Sequence, residues 1–514
     1  MSKTIIIIGA GLAGLSAALQ AAENGCNVKL VSSLPSERAQ SVMAEGGINA
    51  ALNTKDENDS PEEHFTDTIK AACGLADPNA VWGMTQAAPE LVHWLLKLGV
   101  KFNMSGYDDV DLRNFGGQKK KRTAFAQSDT GKQIMTAMID AVRRKEASGM
   151  VERFSHHSFL TLRLCGNICC GCVIRDEYSQ ETVELPGDAV IVATGGMHGL
   201  FGNTTGSLSN TGEVTAELFR LGVPLANGEM IQYHPTTVKC GGKRMLISEA
   251  ARGEGGRLFA MKDGKQWYFM EEKYPELGNL MPRDITAREI WKVSHESEVF
   301  LDMTEISEEI ISNKLSGLAD DCMTYLHKDI RKEPVSVLPG IHYFMGGILV
   351  DEQHRTPIQN LCAAGECCAQ YHGANRLGGN SLLGALYGGR VAAKSACEQA
   401  DVVDLSCATQ IDFPPASQIS EIKQINKVMQ ETMGVVRNEN TLLNGIQTVQ
   451  ALTGNLPLLG MAVLKSALAR KESRGAHWRE DYPKSNDNDY LKTTVARFDG
   501  KQIQISFVPV PERR

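Results

Sequence analysis

Three hydrophobic rhythms follow one another along the chain, and each change of rhythm marks an element. Thr4 to Ile8 is an unbroken β-branched run, the pattern of a parallel strand buried on both faces. Leu12, Leu15 and Leu19 then recur at helical spacing, Gly25 stands where that helix ends, and "NVKLV" (27–31) supplies a second strand. Two later apolar runs close on glycine, "GDAVIVATGG" (187–196) and "LCAAGECC" (361–368), whereas "LRLCGNICCGCVIRDEY" alternates with a strand's period of two. A helix through Arg390 continues to about residue 400, and "VDLSCATQIDFPPASQ" (403–418) reads as a linker, because Pro414 and Pro415 stop any helix. From 419 to about 474 the rhythm is helical in three amphipathic segments, Ile422–Met433, Leu442–Leu452 and Leu459–Ala469, and "TTVARFDGKQIQISFVPVP" reads as a short strand pair.

The first strand, turn and helix carry "GAGLAG". Gly9 permits the tight turn, Gly11 lets the backbone approach a pyrophosphate, and Gly14 lets the helix pack on the sheet. The helix's free N–H groups then face the phosphates. The second strand ends in Ser32–Ser33 rather than in the acidic residue that usually takes the ribose hydroxyls, so Glu366 is placed as their acceptor instead. A run closing on Thr194, Gly195 and Gly196 is what FAD-binding proteins with a two-dinucleotide fold show where the sheet passes the cofactor. The expected fold is α/β, a Rossmann-like two-dinucleotide FAD-binding domain in two parts (1–225 and 343–402). Inserted between them is an α+β capping domain (226–342), and a helical domain (403–485) and a C-terminal tail (486–514) follow.

Composition changes this picture mainly by exclusion. At 514 residues, 42% hydrophobic and 22% charged, the chain can bury a large core, and a net charge of −8 gives no reason to expect nucleic acid. The basic run "QKKKR" (118–122) reads as a solvated turn. No apolar run approaches the ~20 residues needed to span a bilayer. Thirteen irregularly spaced cysteines read as reduced thiols rather than a disulfide framework, and "CCGC" (169–172) reads as small residues buried in a sheet, not metal ligands. No metal site is expected.

The candidate chemistry lies in the presumed cap and in the return to the FAD domain. "QYHPTTV" gives His234, "MLISEAARGEGG" gives Ser248, Glu249 and Arg252, "NLMPRDITARE" gives Arg283, and "GIHYFMGGI" gives His342. "YHGANRLGGNSLLGALYGG" (371–389) sets Arg376 among six glycines, an odd place for a long charged side chain. Two histidines, two arginines and a hydroxyl converging on a flavin suit a small dicarboxylate, because arginine grips a carboxylate with two parallel hydrogen bonds.

At these motifs the chain resembles the flavoprotein subunit family of fumarate reductases and succinate dehydrogenases, with L-aspartate oxidases as close relatives. The resemblance runs nearly end to end and takes in "GAGLAGL", "AEGGINAAL", "FGGQKKKRTAFAQSDTG", "VIVATGG", "QYHPT", "SEAARGEGG", "PRD", "HYFMGG", "AAGECCAQYHGANRLGGNSLLGALYGGR" and "ALARKESRGAHWREDYP". It implies hydride transfer between flavin N5 and a four-carbon dicarboxylate. By the same resemblance Arg283 is the proton donor, Glu249 and Arg252 reprotonate it, and His234, Ser248, His342 and Arg376 bind the substrate carboxylates. Gly9, Ala10, Gly11, Gly14, Ser32, Ser33, Ser41, Gly46, Gly47, Thr194, Gly195, Gly196, Glu366, Arg376, Ser381 and Leu382 would hold FAD.

Three departures from the family sharpen the expectation. Ser248 stands where threonine is usual, with less packing to fix its rotamer. L-aspartate oxidases place a glutamate just before the Gly–Gly of the stretch aligned with 113–131, and here that position is Phe115, which favours fumarate or succinate over an amino acid. Respiratory members carry a histidine that bonds the flavin 8α carbon, and Gln40 stands in its place, so FAD should be held without a covalent bond. A flavin without that substituent has a lower reduction potential, which leans the working direction towards fumarate reduction. A flavin-bound scaffold without turnover has no need of two desolvated arginines. The resemblance also implies an iron–sulfur partner subunit, a membrane anchor reached only through partners, and a cytoplasmic location at the inner face of the cell membrane.

Overall fold

A computed structural model describes residues 2–106, 109–399, 406, 408–411, 413 and 419–514, so most of the linker expected at 403–418 lies outside the described residues. Five parallel strands form the central sheet, in the order Leu361–Ala363, Ala189–Val192, Thr4–Ile8, Asn27–Ser32, Val151–Ser155. Ile5, Ile6 and Ile7 are fully buried, as an unbroken apolar strand covered on both faces must be. Because the strands run in one direction, their carboxyl ends share one edge of the sheet, where a doubly wound fold leaves its ligand crevice.

Close packing explains the glycines of the first turn. A Cβ on Gly14 would overlap the carbonyl oxygen of Gly9, and a Cβ on Gly9 (φ +109°) would overlap that of Ala193 on the neighbouring strand. At Gly11 the nearest atom a Cβ would meet is Ser41 Oγ, 3.7 Å away, so this glycine keeps a wall open rather than permitting contact. The helix Leu12–Glu23 packs against the helix Asn380–Gln399, with Ser16 Oγ donating to Leu386 O at 2.7 Å.

The segment between the two parts of the sheet builds its own layers. Ile231–Cys240 pairs antiparallel with Lys243–Leu246 and Leu338–Phe344. A second sheet joins Arg257–Lys262, Lys265–Trp267, Val299–Asp302 and Val335–Ser336 over a core that includes Leu258, Ile290 and Leu301. Helices at Ile419–Thr432, Glu439–Gln450 and Asn455–Ala469 bury Ile425, Leu442 and Leu459 against Phe201, Phe219 and Phe344.

Two sequence expectations need refinement. The strand pair expected near the C-terminus forms and joins a larger sheet: Lys492–Phe498 pairs with Ile503–Pro509 and with Leu225–Ala226, which pairs in turn with Gly347–Leu349. Burial of Val495 and Ala496 drives this closure onto the two places where the chain enters and leaves the inserted segment. "QKKKR" is solvated only at its three lysines. Arg122 is fully buried, held by Asp59 at 2.8 Å and Asp67 at 3.0 Å, and Gln118 Nε2 donates to Asn49 Oδ1 at 2.9 Å. Cys169, Cys170 and Cys172 are buried in the strand Ile168–Asp176, and no metal-binding group is present among the described residues.

Candidate active site

A cavity of about 650 Å³ runs from the carboxyl edge of the central sheet to the hairpin at 231–246. Ser32 and Ser33 line one end, Gly9, Ala10, Gly11 and Thr194 to Gly196 the middle, and His234, His342, Arg283 and Arg376 the other end. Ser41, Gly46, Gly47, Ser248, Glu249, Glu366, Ser381 and Leu382 also reach it. Of the residues nominated from sequence, only Gly14 and Arg252 do not. Gly14 lies under the turn, and Arg252 stands behind Glu249.

The walls fit FAD. The helix Leu12–Glu23 has no side-chain cap from Gly11 and no acidic residue in its first turn, so its positive end is open to phosphate, apart from Leu12 N donating to Ser41 Oγ at 3.3 Å. Farther in, Gly47 (φ +132°) lies against Ala124 O, and a Cβ on Gly46 would approach the Phe115 ring to 2.8 Å, so a flat ring system meets backbone there. Glu366 follows the strand Leu361–Ala363, which lies three places across the sheet from the strand that ends at Ser32, about 14 Å at the usual ~4.8 Å per strand. The Glu366 Oε1 accepts from Phe344 N at 3.0 Å and lies 3.5 Å from His198 Nε2.

The polar end is built on two helix starts. Arg283 opens the helix Arg283–Val293 directly after Pro282. Its Nε and Nη2 donate to Glu249 Oε2 at 2.8 and 2.6 Å, and its Nη1 donates to Gln232 Oε1 at 3.0 Å. Glu249 opens the helix Glu249–Gly253, and its Oε1 accepts from Gly116 N at 3.1 Å and from Arg252 Nη2 at 3.3 Å. Burial works to raise the Glu249 carboxyl, but Arg283 and Arg252 outweigh it and hold it below the usual carboxylate range. Arg252 donates onward to Asn279 O at 2.6 Å.

Arg376 is different. Its guanidinium lies 4.4 Å from the centre of the Tyr343 ring and makes no hydrogen bond to a described residue, with Nε buried and unpaired. Burial, then the Arg283 cation, push it down to about 9. Burial and the same cation hold His234 and His342 well below the ordinary imidazole range, so both rings are neutral. His234 Nδ1 lies 3.1 Å from Thr236 O and 3.3 Å from Thr236 N, its Nε2 is buried and unpaired, and His342 Nδ1 meets Thr205 Oγ1 at 2.8 Å. Ser248 Oγ caps its helix by accepting from Ala250 N at 3.4 Å.

Gln232 was not nominated from sequence. It holds Arg283 through Oε1, while its Nε2 donates to Asn375 Oδ1 and Arg376 O, both at 2.8 Å, fixing the two arginines relative to each other. Its only signal was a place two residues before His234 along a strand, the spacing of one face. Thr205 and Tyr343 had no signal at all.

This geometry agrees with the comparisons. Residues 4–382 match the family model described as an FAD binding domain, and residues 453–513 match the fumarate reductase flavoprotein C-terminal model. The chain belongs to the succinate dehydrogenase and fumarate reductase flavoprotein family. It is 37% identical to the succinate dehydrogenase flavoprotein subunit of Bacillus subtilis, over 100% of this chain and 98% of that one. It is 32% identical to the 8-methylmenaquinol:fumarate reductase flavoprotein subunit of Wolinella succinogenes, over 100% and 92%. Among solved structures, E. coli quinol fumarate reductase FrdA matches with a TM-score of 0.90 at 27% identity, over 99% and 97%, and Mycobacterium smegmatis Sdh1 with 0.83 at 29%, over 100% and 95%. As a member of this family the chain is an FAD-dependent oxidoreductase.

Proposed function

We propose that this flavoprotein interconverts fumarate and succinate and works chiefly as a fumarate reductase. One observation carries the reading: three buried arginines, Arg252, Arg283 and Arg376, have one carboxylate among them, Glu249, which hydrogen-bonds Arg252 and Arg283 and leaves Arg376 without a partner among the described residues. An uncompensated buried charge costs several kcal/mol, so a site with two cations in excess is suited to a dianion of matching size. Phe115 lines the cavity where an amino-acid oxidase needs a carboxylate, which supports a dicarboxylate without an amino group.

FAD, when bound, supplies or accepts the hydride at N5. Arg376 turns its unspent donors to one carboxylate, and the neutral His234 and His342 rings with Ser248 add hydrogen bonds that carry no further charge. Arg283, held by Glu249 and Gln232, gives a proton to the carbon next to the one that gains hydride. An arginine keeps its proton with a pKa above ~12, but hydride addition makes a far more basic carbon, and Glu249 then returns a proton along the same hydrogen bonds. Arg252 extends this line away from the substrate to a separate concavity of about 330 Å³ that it lines with Arg257 and Leu280. Its guanidinium falls below its ordinary value through burial, which eases proton exchange.

The cofactor is held without a covalent bond. Gln40 lines the cavity, and an amide nitrogen is not nucleophilic enough to bond the flavin. His64, the nearest histidine in sequence, is fully buried against Asn380 Oδ1 at 2.9 Å and does not line the cavity. No described helix is long and apolar enough to cross a membrane. Electrons pass through an iron–sulfur subunit, and any membrane contact is made by partners on the cytoplasmic side.

The test is fumarate reduction by purified protein with reduced viologen as donor, beside succinate oxidation with an artificial acceptor. Fumarate reduction should be the faster. Absence of both activities, with malonate failing to bind, would overturn the reading, and equal rates would remove the directional part. Acid precipitation should leave yellow flavin in the supernatant, and flavin fluorescing with the protein on a denaturing gel would sink the claim of non-covalent attachment.

A further inference from the structure

Two cysteines that are 371 positions apart in sequence meet at the far ends of the two helices that serve the nucleotide crevice. Cys26 follows the helix Leu12–Glu23 and leads into the second strand, and Cys397 lies in the last turn of Asn380–Gln399. Their sulfurs are in hydrogen-bond contact at 3.0 Å, with Cys26 buried and Cys397 half-buried, and Lys3 Nζ donates to Cys397 O at 2.6 Å beside them. Cys26 and Cys397 are both free thiols. Cys169, Cys170 and Cys172 are sealed inside a sheet, whereas the 26–397 pair reaches the surface through Cys397. Neither thiol lines the cavity.

We propose that Cys26 and Cys397 are a reversible disulfide-forming pair that ties the end of the long helix to the start of the second strand under peroxide stress. In the reaction one thiolate attacks hydrogen peroxide and becomes a sulfenic acid, releasing the first water. The other thiol displaces the hydroxyl as the second water and forms the S–S bond. Two thiols thus lose two electrons and two protons, and the peroxide is reduced to two waters. The bond closes a loop of most of the chain, so it restricts the unfolded state strongly. It does so at the end of the helices remote from Arg376 and Ser381, so turnover continues in the oxidised form. Burial, with Cys26 beside it, pushes the Cys397 thiol up to about 12, which makes closure faster at alkaline pH.

The experiment uses the full-length flavoprotein treated with hydrogen peroxide and then with an alkylating reagent. Peptide mapping should show residues 26 and 397 joined, with an intact mass before alkylation lower by about 2 Da and a melting temperature higher by roughly 5 °C. Dithiothreitol should reverse all three. Cys26→Ser and Cys397→Ser should each lack the linked peptide and the thermal gain, while holding their flavin. No linked peptide in the folded wild type, at peroxide doses that oxidise a free thiol added to the same tube, would overturn the proposal. So would a thermal gain that persists in either variant.

Discussion

Two clusters of buried arginines lie in this molecule, and only one faces a cavity. In the C-terminal cluster Arg470 spends every donor: on Glu229, on Glu472 and Tyr490 O, and on Lys492 O and Thr494 Oγ1, all at 2.7 or 2.8 Å. Arg474 pairs with Glu472 and Asp487, and Arg479 takes both oxygens of Asp481 at 2.7 and 2.6 Å. In the other cluster Arg252 and Arg283 share Glu249, and Arg376 has no hydrogen-bonded partner among the described residues. Burial alone therefore does not mark a functional arginine. Unspent donors at the wall of a cavity do.

The largest effect expected from this contrast falls on turnover. Arg283→Gln keeps a planar amide near Gln232 and removes the exchangeable guanidinium proton. Fumarate reduction should fall ~10²- to 10⁴-fold, the range of a lost general acid, while FAD content and malonate affinity stay near wild type. Activity within tenfold of wild type would take Arg283 out of the proton-donor role.

Next comes a pair of variants that should part company. Arg470→Met leaves Glu229 and Glu472 short of a cation in a closed network, so stability should drop by about 3–5 kcal/mol with KM unchanged in whatever folds. Arg376→Ala removes an uncompensated buried charge, so its melting temperature should hold or rise. Its affinity for malonate should fall by about 2–5 kcal/mol, roughly 30-fold to several thousand-fold. Arg376→Lys should not restore it, because lysine lacks the fork. If both variants melt early and neither changes malonate binding, the two clusters are the same kind of structure and the contrast is wrong.

What the sequence showed and what it hid follow the same physical line. The strand–turn–helix at Thr4–Glu23 was legible because its chemistry is local: three glycines and a buried strand define it within 20 residues. Arg376 was legible because a charged residue among glycines is locally odd. Gln232, Thr205 and the 26–397 thiol pair were not, since each acts on a residue that only the folded topology brings near. The separation of Glu366 from Ser32 was hidden for the same reason: the order of strands in the sheet is not written in their order along the chain. Arg470 was readable only as part of the family stretch "ALARKESRGAHWREDYP", and its partner Glu229, 241 positions away, was not readable at all.

The smallest effect tests the rule on an acid. Glu45 stands on the cavity wall with Oε2 buried and unpaired, and burial, then the Asp321 carboxylate, push its carboxyl up to about 8. The folded protein therefore holds a proton on Glu45 at pH values where the unfolded chain has already lost it. Stability must then fall as pH rises from the ordinary carboxyl value of 4.5 towards 8, because the unfolded state binds fewer protons over that window. Glu45→Gln cannot ionise, so it should escape this loss. Melting curves taken at about pH 5 and about pH 8 should show the variant gaining a few degrees on the wild type at the higher value, with little difference at the lower. Parallel pH profiles for the two proteins would mean that Glu45 is ionised and compensated in the fold, and that an unpaired atom on this wall is not a sign of unspent binding capacity.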